Sequence, residues 1–471
     1  MSGIIEELLQ SIGKESLLTA EEAANRPASL WLSNDNLNCK ALLRPANTQE
    51  VSKALKICND HGQTVVPHGG LTGVARGEKT GPEDIAISLE RMNSIEEINL
   101  QNKTVTVQAG VILQDLQNAV ADKGLLFPLD LGSKGSCMIG GNISTNAGGL
   151  QALRYGVTRQ LVLGLEVVMA DGTIISSMNK MLKNNAGYDL KQLFIGSEGT
   201  LGIITRAVLK LEDAPKSRNT AMVALKSFNH AVDFLNRSKR DLNSTLTTYE
   251  IFWNDYYRLM TTPPSEYKPP LAQDYPFYVL METLGQDEKS DEERFHQHLE
   301  SCLTEGVIED ASPATSHQEF TNLWGIREKV ELIFQIHQPV FLFDVSLPIS
   351  EMENYISSIE KQYRSEWDEV HFYAYGHMGD GNLHMYVCCG ENDHKTRHRV
   401  EEIAFEPLKA IGGSVTAEHG LGLEKKPWVH YCRTPEELAL MRTLKNALDP
   451  KGILNRGKVI SETFPTFKHQ N

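Results

Sequence analysis

Two glycine-rich segments constrain the fold and the function of this chain more than any other feature. Segment 68–77 reads H-G-G-L-T-G-V-A-R-G and contains four glycines, and segment 132–149 contains six. Glycine permits positive φ, and its missing Cβ lets backbone N–H groups approach an anion closely. Both segments therefore suit a diphosphate, together with a third run, I-G-S-E-G-T-L-G-I-I-T, at 195–205. Ordinary turns are the alternative, which three such runs in one chain disfavour.

Other features exclude several classes of protein. The chain has no Walker motif and no G-x-G-x-x-G that opens a helix after the first strand, so a nicotinamide Rossmann site is not supported. The formal net charge of −15, from 46 basic and 61 acidic residues, disfavours broad nucleic-acid binding because like charges repel. Since no apolar run reaches about 18 residues, we expect no transmembrane segment.

The amino terminus and the cysteines indicate a compartment. The first ten residues, M-S-G-I-I-E-E-L-L-Q, carry two acids and no basic region, which predicts no secretory signal or transit peptide. Seven cysteines are scattered without a C-x-x-C pair, a pattern typical of reduced thiols. We therefore expect a cytoplasmic protein.

The length of 471 residues predicts two or three domains. Helix and strand patterns alternate through the first third, and residues 128–149 are predicted to be one long loop. From about 218 to 430, strand runs alternate with helices in the manner of an α+β domain on an antiparallel sheet. A last helix is predicted from Thr434, and segment 450–460 is predicted to end in a short strand.

A histidine-bearing hairpin is predicted at 370–389. Asp380-Gly381 is a favoured two-residue turn, and a turn centred there pairs His377 with His384 and Tyr375 with Tyr386 on one face. Two imidazoles this close are a good start for a metal site, and Glu418, in T-A-E-H-G-L-G, offers a carboxylate as third ligand. Two histidines and one carboxylate fit zinc or a similar divalent ion. A pair of surface histidines is the alternative.

Six motifs, in this order along the chain, resemble those of one known family. They are V-P-H-G-G-L-T-G, G-G-N-I-S-T-N-A-G-G, G-Y-D-L-K-Q-L-F-I-G-S-E-G-T-L-G-I-I-T, Y-G-H-M-G-D-G-N-L-H, A-E-H-G-L-G and D-P-K-G-I-L-N-R-G-K. The chain resembles flavoproteins of the vanillyl-alcohol oxidase/p-cresol methylhydroxylase type, and among them the D-2-hydroxy acid dehydrogenase branch. The resemblance spans about 40–460.

The resemblance implies an α+β fold with three parts. Residues 1–212 are expected to form an FAD-binding domain of two α+β subdomains. Residues 213–430 are expected to form a cap, or substrate, domain with an antiparallel sheet and the metal site, which covers the isoalloxazine ring. Residues 431–471 are expected to return to the FAD domain.

The resemblance also implies a set of FAD-binding residues in and near the glycine loops. Covalently flavinylated relatives have a histidine after the paired glycines, whereas here Leu71 follows Gly69-Gly70. We therefore expect non-covalent FAD, with His68 as a positioning residue. The predicted FAD-binding residues are Pro67, His68, Gly69, Gly70, Leu71, Thr72, Gly73, Pro128, Ser133, Gly135, Ser136, Gly140, Gly141, Asn142, Thr145, Asn146, Gly148, Gly149, Glu198, Gly202, Ile203 and Asn455.

The resemblance implies roles for the polar residues of the cap and the A-E-H-G motif. His377, His384 and Glu418 would bind the divalent metal, expected to be zinc, and His419 would be the general base, a role that suits its near-neutral pKa. Arg327 would hold the substrate carboxylate by two parallel hydrogen bonds; a solvated surface arginine is the alternative. Tyr386 is a candidate substrate-binding residue.

The predicted reaction is the FAD- and metal-dependent oxidation of a D-2-hydroxy acid to a 2-keto acid. Glu331 and Leu342 stand where the D-2-hydroxyglutarate branch has a threonine and a lysine that grip a second carboxylate, and Tyr386 replaces an asparagine. Since removing a charge-assisted bond costs about 1.5–3 kcal/mol, we favour D-lactate or a larger apolar D-2-hydroxy acid, with D-2-hydroxyglutarate as second choice.

Three other functions remain open at this point. They are an ether-lipid synthase-type FAD transferase, a non-catalytic flavin-binding subunit of a larger dehydrogenase, and an oxidase that uses oxygen directly. The expected partners are the small 2-hydroxy acid and an electron acceptor, either a quinone or an electron-transfer protein. A homodimer is the candidate assembly, and no nucleic-acid partner is expected.

Overall fold

The computed structural model describes residues 3–31 and 35–461 of the chain. Two compact units emerge: the first consists of 3–148, 157–214 and 418–461, and the second of 149–156 and 215–417. The chain thus enters the second unit close to the expected boundary at 212. It returns to the first unit at Glu418, ahead of the expected boundary at 430, because the segment after Glu418 hydrogen-bonds within the first unit, for example from Leu423 N to Ala75 O at 2.9 Å.

The strands are numbered in chain order. They are β1 (Leu17–Thr19), β2 (Ala41–Leu43), β3 (Val65–His68), β4 (Ile85–Ser88), β5 (Ile95–Asn99), β6 (Thr104–Gln108), β7 (Leu125–Leu126), β8 (Val162–Val168), β9 (Ile174–Ser177), β10 (Ile203–Lys210), β11 (Glu212–Asp213), β12 (Ser217–Leu225), β13 (Leu246–Trp253), β14 (Phe277–Gly285), β15 (Asp310–Pro313), β16 (Phe341–Ser346), β17 (Val370–His377) and β18 (Asn382–Cys389).

The α-helices are numbered in the same way. They are α1 (Gly3–Ile12), α2 (Ala20–Ala23), α3 (Thr48–Asp60), α4 (Leu113–Ala121), α5 (Ile139–Thr145), α6 (Ala152–Tyr155), α7 (Thr158–Leu161), α8 (Lys191–Phe194), α9 (Phe228–Asp241), α10 (Asn254–Thr261), α11 (Glu288–Thr304), α12 (His317–Glu328), α13 (Glu331–Ile336), α14 (Met352–Glu366), α15 (His394–Phe405), α16 (Leu408–Ile411) and α17 (Pro435–Leu448).

The first unit contains two main sheets, one mixed and one antiparallel. The mixed sheet has the order β1-β2-β4-β3, in which β4 runs parallel to both neighbours. The antiparallel sheet has the order β5-β6-β10-β8-β9. Helix α3 begins after Asn47, a favoured capping residue whose side chain accepts a hydrogen bond from Glu50 N. Its buried apolar face and both sheets share one core, which supports the loop after β3.

The second unit is built on a seven-stranded antiparallel sheet of order β15-β12-β14-β13-β17-β18-β16. One face packs against α10, α12 and α13 through aromatic side chains such as Tyr256 and Trp324. The opposite face packs against helices that include α9, where Tyr249 OH donates to Ala231 O at 2.7 Å. The predicted α+β fold with an antiparallel-sheet domain is confirmed.

Three local predictions were wrong. The predicted loop 128–149 contains helix α5, whose Gly140 lets the helix approach Ala109 so closely that a Cβ would lie 2.7 Å from the alanine Cβ. The residue pattern over 396–411 predicts one continuous helix, but the chain there is divided into α15 and α16 around Pro407, which lacks an N–H donor. Instead of a strand, the described part of segment 450–460 forms a single bridge from Leu454 to Val65, because four of its residues have positive φ.

Among the described residues, no helix combines the length and the apolar character needed to cross a membrane.

Candidate functional site

The first unit encloses a cavity of about 410 Å³ that is walled by the glycine-rich segments. The loop after β3, the segment around α5, and residues 198–204 form most of the wall, and Glu418, His419 and Asn455 complete it. This volume falls within the range of cofactor and ligand sites, about 300–1,000 Å³. The segments that the sequence singled out are thus gathered around one space.

Most of the predicted FAD-binding residues line this cavity. They are Pro67, His68, Gly69, Gly70, Leu71, Thr72, Gly73, Ser133, Gly140, Gly141, Asn142, Thr145, Gly148, Glu198, Gly202, Ile203 and Asn455. Pro128, Gly135, Ser136, Asn146 and Gly149 do not line it, and Gly149 belongs to the second unit. Asn146 instead ends α5 in the left-handed conformation, and its side chain accepts a hydrogen bond from Arg159 N at 2.9 Å.

Sequence reasoning did not assign the other wall residues to FAD, although most of them lie within the three glycine-rich segments. They are Trp31, Val74, Ala75, Gly77, Glu78, Leu89, Ala109, Leu131, Gly132, Cys137, Met138, Ser144, Ala147, Gly199 and Ile204.

Close backbone packing explains why glycine is needed in the wall. A Cβ at Gly70 would overlap the carbonyl oxygen of Ser136, so the two loops touch backbone to backbone. Gly69 faces Gly141 across 3.5 Å, measured from an ideal Cβ to the Gly141 Cα. A Cβ at Gly141 itself meets no protein atom within 4 Å. Among the described wall residues there is no lysine or arginine, and the charged ones are Glu78, Glu198 and Glu418. A diphosphate here would therefore be met by the backbone dipoles and neutral side chains of the glycine-rich segments, which fits FAD.

Glu198 ties three parts of the cavity wall together. Its carboxylate accepts hydrogen bonds from Leu421 N at 2.7 Å and from Gly422 N at 2.9 Å. Its carbonyl accepts one from Asn455 Nδ2 at 2.7 Å, and its N–H donates to Ser144 O at 2.8 Å. Burial raises the pKa of this carboxyl group. Glu198 therefore anchors the loop that carries Glu418 and His419, a structural task that its predicted contact with FAD did not suggest.

Two basic residues of the first unit are buried at this cavity: His68 in its wall, and Lys458, which contacts the wall residue Asn455. His68 is buried, its Nε2 lies 2.9 Å from Glu78 O, and burial lowers its pKa to about 4, so the ring is neutral at physiological pH. Lys458 donates from Nζ to Lys79 O at 2.6 Å and to Asn455 Oδ1 at 2.7 Å, and burial lowers its pKa to about 8. Apart from its place in the last of the six motifs, Lys458 has no sequence feature that predicts this burial.

In the second unit, the predicted hairpin forms with a different register. Tyr375 pairs with His384 and Tyr373 with Tyr386, so the predicted pairing of His377 with His384 was wrong. The reason is the turn, in which a 3₁₀ segment, Met378–Asp380, lengthens the loop beyond two residues. The shift is two residues, so the face is unchanged. The two imidazoles still meet, with their Nε2 atoms 3.3 Å apart.

Glu250 on β13 joins the imidazole pair to Arg327. His377 pairs with Glu250 in the strand register, and its Nδ1 hydrogen-bonds to Glu250 Oε1. Arg327 Nε donates to Glu250 Oε2 at 2.7 Å. Burial alone would raise the pKa of Glu250, but its interactions with His377 and Arg327 lower it to about 2. A lone acid within the apolar strand L-T-T-Y-E-I-F-W was the signal that sequence reasoning overlooked.

Arg327 is held so that part of its guanidinium stays available. The side chain is 11% exposed, and its guanidinium carbon lies 4.7 Å from the centre of the Tyr375 ring, a cation–π distance. Within the described chain, neither terminal nitrogen of Arg327 has a hydrogen-bond partner. Two parallel N–H donors are thus free for a planar anion such as a carboxylate.

The residues named for substrate choice lie around the same sheet face or at its margin. Tyr386 is buried, and its hydroxyl lies 3.4 Å from that of Tyr375. Leu342 pairs with Tyr386 in the register of β16 and β18 and is partly buried. Glu331 is exposed at the start of α13.

Asp344 anchors the chain segment that leads to Glu418. It pairs with His384 in the strand register, and its Oδ2 accepts hydrogen bonds from Thr416 Oγ1 and Ala417 N, each at 3.1 Å. Glu418 is the next residue, and within the first unit its carboxylate lies so close to Gly148 that a Cβ there would be 2.6 Å from Oε1. Sequence reasoning missed Asp344, another lone acid in an apolar strand.

Two family models match the chain. Residues 39–177 match the model described as "FAD binding domain", and residues 214–459 match "FAD linked oxidases, C-terminal domain".

Curated relatives cover nearly the whole chain. The mitochondrial D-2-hydroxyglutarate dehydrogenase of Arabidopsis thaliana is 36% identical over 96% of this chain and 80% of its own length, and that of Bos taurus is 37% identical over 96% and 82%. The D-2-hydroxyglutarate–pyruvate transhydrogenase of Saccharomyces cerevisiae is 33% identical over 91% and 88%.

Solved structures of lower identity share the fold. An alkyldihydroxyacetonephosphate synthase superposes with a TM-score of 0.76 at 17% identity, over 98% of this chain and 86% of that one. The 4-ethylphenol oxidase of Gulosibacter chungangensis has a TM-score of 0.71 at 17% identity, over 98% and 97%. A p-cresol methylhydroxylase has a TM-score of 0.70 at 13% identity, over 96% and 95%.

Proposed function

Because this chain belongs to the family of FAD-linked oxidases, we propose that it oxidises a D-2-hydroxy acid to the corresponding 2-keto acid. It is an FAD-linked oxidoreductase, and the sequence-based assignment to flavoproteins of the vanillyl-alcohol oxidase type is confirmed. One observation carries the choice of substrate class. Arg327 presents two free guanidinium donors beside a buried pair of imidazoles, an arrangement suited to a carboxylate with a neighbouring hydroxyl.

FAD is proposed to occupy the cavity of the first unit, bound without a covalent link. The glycine backbones, Thr72, Asn142 and Thr145 would hold the diphosphate and ribityl portions, since they supply neutral donors and close approach. When bound, FAD supplies the acceptor for a hydride. Leu71, which has a φ of 56°, carries no nucleophile, in keeping with releasable cofactor.

A divalent metal ion is proposed on His377, His384 and Glu418, with zinc as the expected identity. The Nε2 atoms of the two histidines lie 3.3 Å apart. Asp344 pairs with His384 in the strand register and accepts a hydrogen bond from the N–H of Ala417, the residue before Glu418. Neutral imidazoles and a carboxylate are ligands that zinc accepts. Such an ion supplies Lewis acidity that makes the substrate hydroxyl proton easier to remove.

The chain's own residues divide the remaining work. Arg327 binds the substrate carboxylate through its two terminal nitrogens and so fixes the orientation of C2. His419 accepts the proton of the 2-hydroxyl group. The hydrogen on C2 leaves with its electron pair as hydride, and the C–O bond becomes a carbonyl. The products are the 2-keto acid, reduced FAD and a protonated His419.

The side chain of the substrate is proposed to be short or apolar. Glu331 would repel a second carboxylate, and Leu342 offers it no hydrogen bond, although the names of several relatives specify D-2-hydroxyglutarate. A missing charge-assisted bond corresponds to about 10–100-fold in specificity. D-lactate or a larger apolar D-2-hydroxy acid is therefore the first choice and D-2-hydroxyglutarate the second.

The test is turnover of a panel of D- and L-2-hydroxy acids with an artificial electron acceptor, together with oxygen uptake. We expect D-enantiomers to be oxidised, and we expect chelation to abolish turnover while FAD stays bound. A metal-free protein with full activity would contradict the metal site. Oxygen uptake that matches turnover would identify an oxidase, and absence of any turnover would favour the transferase or the non-catalytic subunit.

The electron acceptor is proposed to be a quinone or an electron-transfer protein. The measurement of oxygen uptake distinguishes these acceptors from direct reoxidation of the flavin by oxygen. The cytoplasmic location and the homodimer stay predictions; the relatives from Arabidopsis thaliana and Bos taurus are named mitochondrial.

A further inference from the structure

Glu250 is a buried carboxylate whose two oxygens serve two different functional residues. It lies near the middle of β13, and its side chain is 1% exposed. Oε1 accepts the hydrogen bond from His377 Nδ1, and Oε2 accepts the one from Arg327 Nε at 2.7 Å. We propose that Glu250 is the positioning residue that orients both the metal-ligating imidazole and the carboxylate-binding guanidinium. This inference rests on the proposed function.

The contact to His377 selects one tautomer of that ring. A proton on Nδ1 that is donated to Glu250 leaves Nε2 of the neutral ring unprotonated, and that atom lies within hydrogen-bond distance, 3.3 Å, of His384 Nε2. The tautomer is assigned from this hydrogen-bond pattern. A carboxylate behind a ligating histidine also raises the basicity of the ring, and its removal typically costs about 10–100-fold in metal affinity.

The contact to Arg327 selects one orientation of the guanidinium. Because Glu250 accepts from Nε, the two terminal nitrogens, which have no hydrogen-bond partner among the described residues, remain as a pair of donors on the same planar group. The stacking of the guanidinium on Tyr375 at 4.7 Å restrains the same plane. Loss of Glu250 would therefore leave a charged arginine free to rotate, which weakens substrate binding more than it changes the chemical step.

A second buried carboxylate in the same sheet provides a control. Glu282 on β14 is also 1% exposed and also pairs with an arginine, since Arg218 Nε donates to it at 2.9 Å and Trp324 Nε1 at 3.1 Å. Within the described residues it has no hydrogen bond or ion pair with His377 or Arg327, although its partner Trp324 lies on the same helix as Arg327. Its replacement reproduces the loss of a buried charge in this sheet without touching the two functional side chains.

The experiment compares Glu250→Gln with Glu282→Gln in the FAD-loaded protein. A glutamine has one acceptor oxygen, so it can serve His377 or Arg327 but not both, and its amide N–H₂ faces the other donor. Two quantities are measured: Zn²⁺ affinity by competition with a chromophoric chelator, which requires no turnover, and KM and kcat for D-lactate or the best D-2-hydroxy acid at saturating zinc.

For Glu250→Gln we expect zinc affinity to fall by about 10–100-fold and KM to rise more than kcat falls. Glu250→Asp, which keeps two acceptor oxygens on a shorter side chain, should recover part of both losses and also serves if the glutamine variant does not fold. Glu282→Gln should lower Tm and leave zinc affinity within about twofold.

Equal zinc affinity and KM in the Glu250 and Glu282 variants would overturn the role of Glu250 while the proposed function stands. If the wild-type protein showed no zinc binding that depends on His377, both the role of Glu250 and the proposed function would be overturned. Wild-type protein that binds zinc in this way but oxidises no D-2-hydroxy acid would overturn the proposed function and leave the orientation of His377 testable by zinc affinity alone.

Discussion

The cavity of the first unit and the sheet face of the second unit are built by opposite means. The cavity wall is made mostly of glycine backbones and neutral side chains; its acidic residues are Glu78, Glu198 and Glu418, and its described residues include no lysine or arginine. The sheet face gathers Glu250, Arg327, His377 and His384 in a buried position. Backbone dipoles suit the anionic part of a cofactor that stays bound, whereas charged side chains suit a substrate group whose charge changes during the reaction. The two regions should therefore fail in different ways when they are altered.

The largest expected effect comes from His419, which lies in the cavity wall but is proposed to do chemistry. His419→Ala should lower kcat by about 10²–10⁴-fold, because a missing general base costs that much. FAD content and zinc content should stay at wild-type levels. Stopped-flow measurement of flavin reduction gives the rate, and a decrease of less than about tenfold would assign the base to another residue.

Next comes a steric change in the wall. Gly70→Ala places a Cβ against the Ser136 carbonyl oxygen, and since neither backbone can give way easily we expect a loss of about 3 kcal/mol or more in the free energy of unfolding. Gly141→Ala is the matched control, because a Cβ there meets no protein atom within 4 Å.

The Gly141→Ala variant should keep the wild-type Tm, so that any loss of FAD affinity would report the approach of the cofactor itself. Denaturant titration and FAD equilibrium dialysis measure both variants. Equal stabilities would contradict the account of why Gly70 is a glycine.

A third change probes His68, a buried neutral group in the wall. The pKa of His68 is about 4 in the folded protein, against a usual 6.5. Below about pH 6.5 this histidine is protonated in the unfolded chain but stays neutral in the folded protein. The free energy of unfolding therefore falls as the pH drops from 6.5 to 4, by up to about 3 kcal/mol.

His68→Gln removes this titration and keeps a donor for Glu78 O. We expect a flatter dependence of Tm on pH between about pH 7 and pH 4 in the variant than in the wild type. Parallel Tm curves over that range would mean that His68 is not the neutral buried group described above.

The smallest of these effects is expected on the charged sheet face, from a conservative change. Arg327→Lys replaces two parallel donors by one ammonium group, so KM should rise by about 10–100-fold, equal to the loss of about one charge-assisted hydrogen bond. The exposed Arg258 offers a control, since Arg258→Lys should leave KM unchanged. Equal KM values for all three proteins would exclude Arg327 from substrate binding.

The same contrast explains what the sequence could predict. The glycine-rich segments of the cavity wall could be predicted because each glycine run is continuous in sequence. The roles of Glu198 and Lys458 could not, because they depend on contacts with distant segments of the chain. The hairpin was predicted with a register error, because the 3₁₀ turn at Met378–Asp380 has no simple sequence signal. Glu250 was missed because its partners, Arg327 and His377, lie far away in the chain and only strand pairing brings them together.

The central claim is that this chain removes hydride from a D-2-hydroxy acid to bound FAD. Its most direct test is an anaerobic titration of the oxidised holoprotein with D- and L-lactate, D-malate and D-2-hydroxyglutarate, following the loss of the oxidised flavin absorbance. We predict rapid bleaching by a D-enantiomer, with kcat/KM higher for D-lactate or an apolar homologue than for D-2-hydroxyglutarate. A tenfold or greater preference for D-2-hydroxyglutarate, of the size that one charge-assisted bond supplies, would contradict the assignment made from Glu331 and Leu342. Faster bleaching by L-enantiomers, or none by any acid, would contradict the claim itself.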